Sequence, residues 1–336
     1  MKKILIILIP LILIATITIA YFFFFPEGKI KPDKKLKQST FLTQCLSENL
    51  EVSYKIEEKE SPLADVVVYI IDENIGKKVT SFKIDNIFKN YHPIELYKCG
   101  IYVIRFFNYD PRISKQKPEF RAEFWRYYYN GEGIQLFFSE DFSYDFRVDP
   151  TEIYLVLEQS YLGNPGYALV IKNLNTKEDV FVLPLAEIVN KYPDLEGSIG
   201  FNEWTKDGRY FWGNIFYGAN VLAFFRIERD TWKTDILPAP KDVLGGDDLN
   251  LENGYITVHP GNVWFGISEL TEEEKAKRRA QGIGTELYIH NLFTGERQFV
   301  DKTDEPLWYF KPKWISDTEL EYEMPSGEKK TYKIEG

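Results

Sequence analysis

Asp149-Pro150, the loop from Gly245 to Gly254, three histidines and two cysteines are where this chain of 336 residues holds side chains able to do chemistry. Asp149 would suit one of the paired carboxylates, about 5 to 10 Å apart, that glycoside hydrolysis uses as acid and as nucleophile or base. Gly245-Gly246-Asp247-Asp248-Leu249-Asn250-Leu251-Glu252-Asn253-Gly254 places oxygen ligands at every second position, as calcium loops do. Its glycine falls one residue late, however, and the twelfth position from Asp248 is His259 instead of Glu, so it reads as a polar loop. His92, His259 and His290 stand at no ligand spacing with Cys or Glu, which argues against zinc. Gly197-Ser198-Ile199-Gly200 and Gly266-Ile267-Ser268 both miss G-x-S-x-G, leaving nucleophilic hydrolysis unsupported. No catalytic set, metal or cofactor is expected.

Cys45 and Cys99 would close a loop worth roughly 4 kcal/mol by chain entropy in an oxidising compartment; the alternative is two buried thiols that never meet. The amino terminus bears on the compartment. Ile4 to Phe25 is a run of 22 uncharged residues, about 33 Å long as a helix and enough to cross a bilayer. Tyr21 and Phe22 to Phe25 suit an interfacial aromatic belt. A cleavable signal peptide is the competing reading, since Lys2 and Lys3 give it a basic start and Thr18-Ile19-Ala20 resembles a small-x-small cleavage site. Cleavage there would leave five aromatic residues at the new terminus, so an uncleaved anchor with the lipid bilayer as its partner is expected. Lys29, Lys31, Lys34, Lys35 and Lys37 beyond the helix outnumber Lys2 and Lys3, and a literal positive-inside count would keep the domain in the cytoplasm. A very short basic tail before the first apolar run favours the opposite, and the expectation is a single-pass protein of the cell membrane with its bulk extracytoplasmic.

Residues 26 to 40 read as a basic stalk and 41 to 336 as one folded domain. Of the net charge of -10, residues 38 to 336 contribute -15, from 34 basic and 49 acidic side chains. A nucleic-acid partner would need the opposite sign. From about Leu50 the chain is a succession of short runs rich in Val, Ile, Tyr, Phe and Trp, broken by Asn, Gly, Asp and Pro, which is an all-β pattern. The exceptions are two short helical inserts, Leu185 to Tyr192 and Thr271 to Gln281. The second has a Thr271 to Glu274 capping box and favourable pairs at Glu273 with Lys277 and Glu274 with Arg278.

The runs repeat. Phe146 with Asp149, Trp204 with Asp207, Ile256 with His259 and Trp314 with Asp317 each set an aromatic or apolar residue three positions before an acid or turn former, at spacings of 58, 52 and 58 residues. A weaker start is Tyr97, before Cys99-Gly100. Each start leads a strand, a loop, a second strand, a tight turn and a third strand. About five units of four short antiparallel strands form what a β-propeller needs, because each blade buries its faces against its neighbours. The rival is a pair of β-sandwich domains. The last unit is one strand short, so a strand from Leu50 to Ile56 or from the Asp65 to Ile84 hairpin is expected to complete it and close the ring.

Trp204-Thr205-Lys206-Asp207-Gly208-Arg209-Tyr210-Phe211 resembles the Trp, two-residue spacer, Asp-Gly, strand pattern of TolB-type propeller repeats, and Trp314-Ile315-Ser316-Asp317 is similar to a degenerate copy. The resemblance implies that this signature makes the turn into a blade's second strand, with the aromatic packed between blades. Pro150 stands where the glycine would be after Asp149, and the Ile256 unit lacks the acid. In this phase Asp149 matches Asp207 and Asp317, which makes it a turn residue first and a hydrolase carboxylate second. Trp125 to Tyr129, Phe211 to Tyr217 and Trp308 to Trp314 are blade packing, and the successive aromatics Phe211-Trp212 would turn one face outward as a platform for sugar or peptide. The function that follows is non-catalytic: a scaffold that binds a protein or peptide of the cell envelope through loops at one end of the domain. The alternative is a carbohydrate-active hydrolase.

Overall fold

The computed structural model describes residues 45–46, 50–57, 63–88, 94–107, 121–139, 146–160, 167–191, 198–217, 220–240, 248–259 and 270–334. The chain divides into Met1–Cys45 and Leu46–Gly336, and the architecture below is that of the second unit. The segments expected as anchor and stalk lie outside the described residues. Among the described residues no helix is long and apolar enough to cross a membrane.

Strand follows strand in antiparallel order. β1 (Leu50–Glu57), β2 (Leu63–Asp72) and β3 (Lys77–Phe88) form a meander. β4 (Ile94–Tyr97), β5 (Gly100–Phe107), β6 (Arg121–Tyr127) and β7 (Gly133–Ser139) continue the same sheet, joined to β3 where Ile87 faces Arg105. A second sheet holds β8 (Phe146–Val148), β9 (Tyr154–Ser160), β10 (Tyr167–Asn173) and β11 (Asp179–Pro184). The third holds β12 (Ser198–Trp204), β13 (Tyr210–Tyr217), β14 (Asn220–Glu228) and β15 (Thr234–Pro238). The fourth holds β16 (Leu249–Asn250), β17 (Tyr255–Val258), β18 (Thr285–Asn291) and β19 (Arg297–Thr303). Among the described residues the last has three strands, β20 (Lys313–Trp314), β21 (Glu319–Glu323) and β22 (Lys329–Lys333).

The helical inserts are α1 (Leu185–Lys191) and α2 (Glu272–Ala280). The capping box at Thr271 and Glu274 is present. Because Glu274 turns back onto Thr271, its carboxylate is engaged there, and the ion pairs of α2 include Lys275 with Glu272 and Arg279 with Glu305, at 3.0 and 3.1 Å.

Side chains alternate across a strand, so a run of consecutive apolar residues serves two faces at once. On β5, Tyr102, Ile104 and Phe106 pack with Leu155, Leu157, Ala168 and Val170 of the second sheet, while Ile101 and Val103 pack with Val66, Val68 and Ile70 of the meander. Val156, Leu169 and Ile171 leave the second sheet on its other side to meet Trp204, Phe211, Ile215 and Phe225. Trp212 and Phe224 meet Ile256 and Val258, and Leu287 and Ile289 meet Leu320 and Tyr322. Four of these cores are each shared by two neighbouring sheets, and the fifth lies between the meander and β5 of the first sheet.

Two expectations fail here. Phe211 and Trp212 are 0% and 1% exposed, one in each of two adjacent cores, so this pair forms no outward platform. The amino-terminal strands do not complete the last sheet among the described residues, since β1 to β3 pair with each other and with β5. The physical reason is their apolar alternation: Val66, Val68, Ile70 and Ile84 already have a surface to cover on the inner face of β5 and β6.

Candidate functional site

At one end of the stack, each sheet turns from its first strand into its second, and the register of these turns defines the repeat. Val148 faces Leu155, Trp204 faces Phe211 and Leu249 faces Ile256. The residue after each, Asp149, Thr205 and Asn250, is polar and only 0%, 2% and 5% exposed. Each stands five positions before a tyrosine, Tyr154, Tyr210 or Tyr255. Asp149 accepts from the backbone N–H of Thr151, Ile153 and Tyr154 and from the Thr151 hydroxyl. Thr205 Oγ1 accepts from Tyr210 N at 3.0 Å and donates to Asp207 at 2.7 Å, and Asn250 Oδ1 accepts from Glu252 N. A buried polar cap answers the backbone donors that the turn would otherwise leave unpaired.

This corrects the sequence phase. Asp149 stands where Thr205 does, and Asp207 corresponds to Thr151; Phe146 lies two residues ahead of the position held by Trp204 and Trp314. Ile256 and His259 belong to the second strand of the fourth sheet and its end, so the start there is Leu249. The aromatic spacing was a weaker guide than the cap because the position before the cap is filled by Val148 and Leu249 as readily as by tryptophan. The pattern of a small polar residue five before a tyrosine was the signal available in the sequence. The loop read against calcium is accounted for in part by the same geometry: Asp248 accepts from Trp314 N at 2.7 Å and Asn250 donates to the Asp317 carbonyl at 3.0 Å. Among the described residues no cluster of His, Cys, Asp and Glu could hold a metal ion.

The turns interlock from sheet to sheet. Glu152 accepts from Cys99 N, Tyr102 Oη and Arg126 at 2.9, 2.8 and 2.9 Å, tying the second sheet to the first. Arg229 of the third sheet reaches back to the fully buried Asp149 at 3.0 Å. Gly208 holds φ +68 above this pair, and a Cβ there would come within 3.3 Å of Arg229 Nη1 and Pro150 Cδ. Lys206 N donates to Glu252 at 2.7 Å, and Asp317 accepts from Lys206 Nζ at 2.9 Å. Trp204 is buried between the second and third sheets, edge-on to Phe211 at 5.4 Å, and the Trp314 indole donates to the Asp248 carbonyl at 3.1 Å. Asp207-Gly208 thus makes the turn into a second strand, and the tryptophan before it packs between sheets, as the repeat resemblance implied. The fold is a TolB-like β-propeller.

Its first strands lie side by side and carry a row of charges. Arg147, Glu203, Asp248 and Lys313 occupy the same register, one residue before Val148, Trp204, Leu249 and Trp314. Arg147 Nε donates to the Asn202 carbonyl at 3.0 Å and pairs with Glu203 at 3.3 Å, and its Nη1 lies 3.4 Å from Glu95 of β4. Glu95 also accepts from Val148 N at 3.0 Å and Tyr97 Oη at 2.9 Å. Burial raises the Glu95 carboxyl to about 7, against the pull of these donors and of Arg147. Sequence reasoning missed this cluster, because nothing in the spacing of Glu95, Arg147 and Glu203 shows that three first strands are neighbours. Cys45 and Cys99 are both disulfide-bonded.

Neither a protein family nor a curated protein matches the sequence. Solved structures similar to the propeller include TolB from Acinetobacter baumannii, at 10% identity and TM-score 0.34, covering 81% of this chain and 73% of that one. The β-propeller domain of the trilobed protease from Pyrococcus furiosus is 10% identical at TM-score 0.46, with 87% and 81% covered. Acylaminoacyl peptidase from Pyrococcus horikoshii is 10% identical at TM-score 0.45, with 82% of this chain and 41% of that one covered. These likenesses bring no activity to the chain.

Proposed function

We propose that this protein is a non-catalytic scaffold of the cell envelope, anchored in the membrane by Ile4 to Phe25, whose five-bladed, acidic propeller holds a protein or peptide partner outside the cytoplasm. The observation that carries this reading is the inequality of the two ends. One end holds the short interlocked turns described above, together with the third-to-fourth-strand turns at Asn130-Gly131, Asn175-Thr176, Asp230-Thr231 and Thr294-Gly295. The other end receives the connections 108–120, 185–197, 239–248 and 259–284. A rigid frame that gathers its longer connections at one end is built to present them. The uncharged amino-terminal run and the bonded cysteines support the membrane and the oxidising compartment.

The hydrolase reading loses its carboxylate. Asp149 is 0% exposed, and both its oxygens are held by the backbone, Thr151 and Arg229. It makes a turn.

Photo-crosslinkers placed one at a time in the full-length anchored chain, in cells, test the proposal. Probes at 185–197 and 259–284 should trap an envelope protein or peptide, and probes at Asn175 or Asp230 should not. Trapping at the tight-turn end, or of cytoplasmic proteins alone, would overturn the assignment of face or of compartment respectively.

A further inference from the structure

β2 and β3, of ten and twelve residues, outrun the blade they cover. Near its carboxyl end β3 meets the far part of β5, where Ile87 faces Arg105 and the Asp85 carbonyl accepts from Arg105 Nε at 3.3 Å. Followed back from there, Phe82 stacks on Tyr127 with ring centroids 6.3 Å apart, and a Cβ on Gly131 would lie 3.3 Å from it. Gly131 belongs to the turn from β6 into β7, so at Phe82 the strand has already reached the end that holds the short interlocked turns. Five more residues lead to Lys77, a rise of about 16 Å. The hairpin then closes at Glu73 to Gly76, with Gly76 N on the Asp72 carbonyl at 2.8 Å and Asn74 N on the Asp72 carboxylate at 2.9 Å. Glu73 to Ser81 are exposed throughout, so this hairpin is a spur beyond the short-turn end.

The chain enters the propeller at the same end. Leu46 N donates at 2.8 Å to the Lys98 carbonyl, in the turn from β4 into β5, and β1 begins with Leu50 opposite Asp72, at the base of the spur. Twenty residues separate Phe25, where the proposed anchor stops, from Leu46. A coil of that length spans roughly 25 Å, no more than the rise of the eight residues of β5, about 26 Å. Lys29, Lys31, Lys34, Lys35 and Lys37 within it favour an anionic surface. A bilayer holding the anchor therefore meets the short-turn end, and the spur first. The composition of the spur suits that meeting. On a domain whose residues 38 to 336 carry -15, Lys77 and Lys78 balance Asp72 and Glu73, and Ile75 and Val79 are 63% and 58% exposed. Apolar side chains beside lysines can enter the acyl boundary while the ammonium groups stay with the phosphates.

We propose that the hairpin of β2 and β3 is a second membrane contact: Ile75 and Val79 enter the boundary between headgroups and acyl chains, and Lys77 and Lys78 face anionic phosphates. This rests on the anchored reading above and adds an orientation to it. The short-turn end stands on the lipid, and the connections 185–197 and 259–284 open away from it, toward the envelope.

The test uses the full-length chain reconstituted in vesicles of phosphatidylcholine and phosphatidylglycerol. Because both native cysteines are bonded, a new cysteine, Asn74→Cys in the spur or Glu273→Cys in α2 at the other end, takes a nitrobenzoxadiazole fluorophore alone. Flotation after an alkaline carbonate wash comes first. A chain washed off the vesicles overturns the anchored reading, and this proposal with it. In a retained chain, nitroxide carried on lipid should quench the probe at position 74 roughly twofold or more and leave the probe at 273 unchanged. Ile75→Glu with Val79→Glu, both at exposed positions, should keep the thermal transition and bring the probe at 74 to the level of the probe at 273. With the anchor retained, an unquenched probe at 74 overturns the spur as a membrane contact, and quenching at 273 instead overturns the orientation. Quenching at 74 that the two glutamates leave unchanged would come from tethering alone and overturns the insertion of Ile75 and Val79.

Discussion

Replacing Glu95 with glutamine should abolish a pH dependence that the first three blades build into the domain. Glu95 titrates at about 7 when folded, against 4.5 for an ordinary glutamate, chiefly because burial penalises its charge. Between these values the unfolded chain has lost the proton and the folded chain retains it, so stability falls as pH rises from 4.5 to 7 and stays lowered above that. At 1.36 kcal/mol per pH unit the shift amounts to about 3 kcal/mol. Glutamine cannot ionise, but its amide oxygen can still accept from Val148 N and Tyr97 Oη, so the frame should survive. Denaturant titrations of wild type and Glu95→Gln from pH 4.5 to 8.5 give the answer in one difference. The variant should gain on the wild type by roughly 2 to 3 kcal/mol across that range, with the whole change between 4.5 and 7. Parallel profiles, or a wild type that gains on the variant as pH rises, would show that Arg147 and the donors hold Glu95 ionised and that the reasoning about burial is wrong.

Other consequences can be measured on the same protein. Phe211→Ala, in the core shared by the second and third sheets, should cost about 3 to 5 kcal/mol in chemical denaturation. Gly208→Ala, at φ +68 above Arg229 and Pro150, should cost roughly 1 to 2 kcal/mol, visible as a lowered melting temperature. Asp149→Asn should cost about 3 kcal/mol or more because it leaves Arg229 facing a neutral group, and Asp149→Asn with Arg229→Met should recover part of that loss in a double-mutant cycle. Reduction of the cysteine bridge should lower stability by roughly 4 kcal/mol, read as a shift in the denaturant midpoint with and without reductant.

Much of the fold was legible because strands buried on both faces write an unbroken apolar code. IYVIRFF, LVL, ALVI and RYFW announce strands in any reading, and the short helix after Thr271 was fixed by its capping box. Repeat phase was harder. Asp149 and Asp207 look equivalent in the sequence, yet one caps a turn from its first position and the other serves from within it, a distinction made by hydrogen bonds between residues five apart. The destination of the amino-terminal strands was not legible either: the alternation of Val66, Val68 and Ile70 shows a face to be covered but not which sheet covers it. The charged row on the first strands is the clearest case of what sequence withholds, since Glu95 and Arg147 are 52 positions apart and meet only through topology.

Among the described residues, the last sheet differs on its two faces. β21 sends Leu320 and Tyr322 into the core it shares with the fourth sheet, whereas Glu319, Glu321 and Glu323 point to its other side and pair with Lys333, Lys329 and Lys311. Among the described residues this sheet is apolar on one face and charged on the other. Amide protons of β21 and β22, whose strands bury one apolar face, should therefore exchange before those of β9, β10 and β13, which bury two.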